Sequence, residues 1–115
     1  MIRRKSEYTA DIKENMRDGI GLVKIEHLLK QEEMNEKGRL FAKITVKPGD
    51  SIGFHVHEGE IEAFYIICGE AEMSDNGEPV VLTAGDTILT KDGEGHSVKS
   101  VGTEALEMIA LILFS

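Results

Sequence analysis

Short runs of alternating apolar and polar residues, each closed by a turn signal, fill most of the chain. The cleanest run spans residues 40–46, where Leu40, Ala42, Ile44 and Val46 fall on one face of an extended strand. Before it, residues 22–29 read as a strand with Val23 and Ile25 on one face and Lys24 and Glu26 on the other. Strand-like runs recur at 62–67, 70–73, 80–82, 87–90, 96–99 and 106–114. Asp75, Asn76 and Gly77 form a tight hairpin turn, because Asn and Gly tolerate positive φ. Pro48-Gly49-Asp50, Ala84-Gly85-Asp86, residues 91–95 and residues 102–104 punctuate the rest. Residues 11–17 read as a short helix inside a polar opening segment, and the acidic stretch 31–36 as a solvated loop. Many short strands with little helix indicate an all-β sandwich or barrel. We expect residues 1–20 to form a short N-terminal arm, lying on the barrel or on a partner subunit. Residues 21–115 then form a single barrel domain.

Two of these runs are apolar on both faces. In the last, Leu106, Met108, Ala110 and Ile112 make one face, and Ile109, Leu111 and Leu113 the other. In residues 62–67, Phe64 and Ile66 share a face with Glu62, while Ala63, Tyr65 and Ile67 point away. A small barrel buries one face of each strand, so the second face needs a cover. The arm or another subunit can supply it.

Composition narrows the classes of function. At 115 residues the chain is long enough for one domain with a real core. Its 21 acidic against 13 basic residues give a formal net charge of −8. That balance argues against nucleic-acid binding, which needs a basic footprint, and against adhesion to membranes. No run approaches the roughly 20 apolar residues of a membrane-spanning helix. The basic start at residues 1–5 is not followed by an apolar signal core. A lone cysteine, Cys68, excludes an intrachain disulfide framework. The expectation is a cytoplasmic protein.

The candidate chemistry lies in His55, His57, Glu62 and His96. His55 and His57 alternate with Val56, so on a strand both imidazoles reach one face. A His-x-His pair alone is ordinarily two polar residues on a wet surface. Here Glu62 opens the next strand after a turn at Gly59, and His96 follows about a hairpin further on. Three neutral imidazoles and one carboxylate suit a divalent first-row metal, and they leave coordination positions open for substrate or water.

The glycine spacing extends the pattern. Five residues separate Gly49 from His55, four separate His57 from Glu62, and six separate Glu62 from Gly69. Downstream come Gly85, Gly93 and His96. This resembles the cupin superfamily, whose first motif is Gly, five residues, His-x-His, three or four residues, Glu, six residues, Gly. The stretch from Gly49 to Gly69 fits every defined position. In the second motif Gly85, Gly93 and His96 fit, but Lys91 replaces a proline and Ser100 an asparagine. The resemblance covers roughly residues 38–114. It implies a double-stranded β-helix, or jelly-roll, barrel with His55, His57, Glu62 and His96 as ligands of one Mn, Fe, Ni, Co or Zn ion per chain. Because family dimers pack sheet on sheet, it also implies a homodimer.

A divalent ion with one carboxylate ligand keeps a local charge near +1, which favours small anionic or oxygen-rich partners such as carboxylates, keto or hydroxy acids, sugars and diols. Proteins similar to this one include dioxygenases, decarboxylases, isomerases and lyases, and the fold does not choose between them. A non-catalytic ligand-binding or sensor role is the competing class. A storage-type barrel is disfavoured, since such members usually lose the ligands. Phe64 and Met108 have inward parity and are the candidate substrate-pocket residues. No second acid or base is identified. Glu58 and Glu60 lie in the loop between the ligands as candidate lid carboxylates, although solvated loop charges are commoner. His27 reads as a structural or surface histidine. Cys68 shares the parity of Glu62 and reads as a buried structural thiol.

Overall fold

A computed structural model describes residues 1–115. Ten strands form two antiparallel sheets. They are β1 (Thr9–Glu14), β2 (Leu22–Leu29), β3 (Gly38–Val46), β4 (Ser51–Val56), β5 (Glu60–Cys68), β6 (Ala71–Asp75), β7 (Glu78–Leu82), β8 (Thr87–Thr90), β9 (Gly95–Ser100) and β10 (Leu106–Phe114). The larger sheet has the order β1-β2-β3-β10-β5-β8 and the smaller β4-β9-β6-β7. The elements join only through turns and short 3-10 segments, and no helix is long and apolar enough to cross a membrane.

The alternation seen in the sequence becomes the inner faces of these sheets. Val23, Ile25, Ala42, Ile44, Val46, Phe64, Ile66, Met108 and Ala110 from the larger sheet meet Ile52, Ala71, Met73 and Val98 from the smaller in one core. Each fully buried aliphatic or aromatic side chain contributes about 1.5–3 kcal/mol, so the interleaving of the two faces holds the layers together. Asn76 and Gly77, both at positive φ, close the β6–β7 hairpin between the paired Asp75 and Glu78.

Three local expectations are corrected. Residues 11–17 are not a helix: Thr9–Glu14 pair with His27–Leu22 as the edge strand of the larger sheet. Residues 31–34 make a 3-10 turn rather than irregular loop, and Arg3 forms a paired guanidinium–carboxylate contact with Glu33 there at 2.9 and 3.0 Å. Cys68 does not follow the parity of Glu62. The β5–β10 register shifts between Glu107 and Met108, which puts Cys68 opposite Glu107, and the thiol donates to the Glu107 carboxylate at 3.3 Å. Gly69 then ends β5 at φ +85°, where an added Cβ would meet the Leu106 backbone at 2.7 Å.

Candidate metal site

The strand register brings the two motifs together. His55 on β4 is paired directly with His96 on β9. His57 follows β4, its N–H donating to the Glu94 carbonyl and its own carbonyl accepting from Gly93. Glu62 enters from β5, opposite Thr90 of β8. The carboxylate therefore comes from one sheet and the imidazoles from β4, the residues just after it, and β9 of the other.

The donor atoms converge. His96 Nε2 lies 3.1 Å from His55 Nε2, 3.2 Å from His57 Nε2 and 3.0 Å from Glu62 Oε1. His57 Nε2 is 3.0 Å from the same Glu62 oxygen. One donor atom from each residue lies within 4.8 Å of all the others. His57, Glu62 and His96 are buried.

Contacts behind the rings orient them. His55 Nδ1–H donates to the Gly53 carbonyl at 2.8 Å, which leaves the Nε2 lone pair facing the cluster. His96 Nδ1 is 2.8 Å from Thr90 Oγ1, and in the same tautomer its N–H donates to that hydroxyl. His57 Nδ1 faces the Glu60 carboxylate at 3.7 Å, and Glu60 is itself clamped by Arg39 through bonds of 2.8 and 3.1 Å. Glu60 is thus a half-buried support for His57, whereas Glu58 is exposed. Phe64 stacks on His96 with ring centroids 5.1 Å apart.

The electrostatics hold Glu62 and His55 in their metal-binding forms and draw His57 toward its protonated one. Burial pushes the Glu62 carboxyl up, but the His57 and His96 imidazoles facing it at 3.0 Å outweigh burial and hold the group below the usual carboxylate range. Its hydrogen bond to Glu62 raises His57 against desolvation. Burial lowers His55, which keeps that imidazole neutral. Metal–nitrogen and metal–oxygen bonds of about 2.0–2.2 Å put adjacent octahedral donors about 2.8–3.1 Å apart and tetrahedral donors about 3.3–3.6 Å apart. The 3.0–3.2 Å separations put these donors within reach of one ion. The cluster fits a single site for a divalent ion, without fixing which one.

His55, His57, Glu62 and Phe64 also line a cavity of about 190 Å³. Its walls include Ile25, Ile44, Ile52 and Ile112, together with Asp11, Lys13, Arg17 and His27. Met108 is fully buried in the core and does not line this cavity. His27 does line it, bonded to Asp11 at 2.8 Å, which corrects its reading as a structural or surface group. The signal was available, since His27 continues the parity of Val23 and Ile25. Tyr65 points outward, 46% exposed.

Known proteins share this fold. A family model described as "Cupin domain" matches residues 42–112. The chain belongs to the cupin family. Across 113 residues this cupin is 46% identical to an oxalate-binding protein of Thermotoga maritima, covering 98% of this chain and 93% of the relative. A solved structure described as a predicted oxalate decarboxylase of Thermotoga maritima superposes with a TM-score of 0.95 at 45% identity, over all of both chains. KdgF from Halomonas sp. shares the fold alone, with a TM-score of 0.76 at 14% identity over 97% of this cupin and 94% of that chain.

Proposed function

We propose that this cupin holds one divalent transition-metal ion on His55, His57, Glu62 and His96 and binds a small oxygen-rich anion there, with oxalate as the first candidate. The observation that carries the reading is the convergence of three imidazole nitrogens and one carboxylate oxygen at the edge of a small cavity. The name of the 46%-identical relative supports oxalate as the ligand class. At about 30 Å³ per water, the cavity has room for roughly six waters, or one compact dicarboxylate.

When bound, a divalent ion supplies Lewis-acid polarisation of the ligand's oxygens. The chain's residues do the rest. Glu62 offsets one positive charge and leaves an excess that attracts an anion. Thr90 and the Gly53 carbonyl fix the tautomers of His96 and His55. Phe64 and the isoleucines give part of the cavity an apolar wall, which strengthens the polar contacts beside it.

The test loads purified protein with Mn, Fe, Co, Ni or Zn, measures metal content by mass spectrometry, and titrates oxalate by calorimetry. One ion per chain and metal-dependent oxalate binding are expected, with His57→Ala losing tight metal binding while staying folded. Equal metal binding by the variant and the wild type refutes the site. A catalytic reading is supported by the solved relative described as a predicted oxalate decarboxylase. Metal-dependent release of CO2 from oxalate, lost in His96→Ala, separates it from binding alone.

A homodimer belongs to the same proposal. On the outer face of the larger sheet, Leu89, Ala63 and Leu111 form one cross-strand row, and Tyr65 and Ile109 the next. Tyr65, Ile67 and Leu89 are 46%, 43% and 45% exposed. A second copy of the chain would cover these rows.

A further inference from the structure

The cavity beside the four-residue cluster draws most of its other charged groups from one stretch of chain. Asp11 and Lys13 reach it from β1, and Arg17 from the turn that follows. His27, on the neighbouring strand, donates to Asp11 at 2.8 Å and lines the same cavity. Arg39 also reaches the lining, but its guanidinium is committed to Glu60. Lys13 and Arg17 have no side-chain hydrogen bond or ion-pair partner in the structure.

The placement of Arg17 is built. Asn15, Arg17 and Asp18 adopt φ of 50°, 54° and 65°, a left-handed run that is uncommon outside glycine. Such backbone persists only where its surroundings hold it. Here the turn lies against β4, where a Cβ at Gly53 would collide with the Arg17 carbonyl. The same Gly53 accepts the His55 hydrogen bond.

A ligand that chelates through one end satisfies the cluster's charge excess with a single negative group. A second carboxylate inside this cavity needs cations of its own, and Lys13 and Arg17 are the unpaired ones that face it. Charge-assisted hydrogen bonds to carboxylate are roughly twice as strong as neutral ones, and guanidinium matches its planar fork.

We propose that Arg17 and Lys13 read the end of the bound anion that the cluster does not hold, and so select small dianionic over monoanionic chelators. This rests on the metal-bound anion proposed above.

The test compares oxalate with glycolate, a monoanionic chelator, by calorimetry on the metal-loaded full chain. Metal content is measured for every sample. Wild type is expected to prefer oxalate. In Arg17→Gln, oxalate affinity should fall about ten-fold or more, from the loss of a charge-assisted bond, while glycolate affinity changes by less than about three-fold and metal content is unchanged. Lys13→Gln should shift the ratio the same way. It lies on an exposed strand with ordinary backbone, so it keeps the question answerable if the Arg17 variant misfolds. Wild-type oxalate-to-glycolate ratios in the folded variants, or no oxalate preference in wild type, overturn this inference and leave the metal-bound anion standing. Loaded wild type that binds neither ligand overturns both.

Discussion

Thr90→Val is the most informative single change outside the ligands themselves. Thr90 is 1% exposed and His96 0% exposed, and their side chains meet at 2.8 Å. Valine keeps the shape and removes the hydroxyl that accepts from Nδ1–H. A buried donor left without a partner costs about 1–3 kcal/mol. The imidazole can escape part of that cost by moving its proton to Nε2, where Glu62 Oε1 lies 3.0 Å away and accepts it. That proton then occupies the centre of the cluster. A metal must expel it, so the expected loss of metal affinity is about 10–100-fold, equivalent to about 1.4–2.7 kcal/mol. Urea unfolding of metal-free protein measures the first quantity, and competition against a chelating dye the second. Nitrogen NMR of His96 reports the tautomer directly. Thr90→Ser keeps the hydroxyl and should stay near wild type. An unchanged metal affinity in Thr90→Val, with His96 still protonated on Nδ1, refutes the argument that this hydroxyl positions the ring.

Other outcomes follow from separate features. Ser100 Oγ is fully buried without a hydrogen-bond partner, so Ser100→Ala should be neutral or stabilising by up to about 1 kcal/mol in urea unfolding. Leu111→Lys places a charge in the proposed dimer face and should give monomer or aggregate by sedimentation, where wild type is expected to sediment as a dimer at micromolar concentration. Hydrogen bonding from Arg3, with the Lys30 backbone N–H, holds Glu33 down at about 2 from the ordinary 4.5. Its depressed value means the contact supports folding above the ordinary carboxylate range and is lost as pH falls toward about 2. Arg3→Ala should return the Glu33 carboxyl to its ordinary titration, followed by carbon NMR.

The inner faces of the sheets were legible because burial writes a period of two into β2, β3, β5 and β10. The cluster was legible for the same reason, since parity puts His55 and His57 on one side and spacing puts Glu62 and His96 on adjoining strands. β1 was not legible. All six of its residues are exposed, so no apolar period marks it, and Asp11 and Lys13 face a cavity rather than the core. The outward position of Cys68 depends on a register shift against β10 that only the partner strand reveals. Met108 illustrates a different limit. Inward parity assigns a residue to the interior, but whether it lines the cavity or fills the core depends on its height along the barrel.

Glu62 belongs to the six-stranded sheet, and His55 and His96 to the four-stranded one. On the proposed reading an ion would act as a rivet between two layers otherwise joined by apolar contact and connecting turns. Occupancy should then register in amide exchange as a joint slowing of β5 and β9, far apart in sequence. Chelation should loosen the seam between the layers before any strand frays from its own sheet.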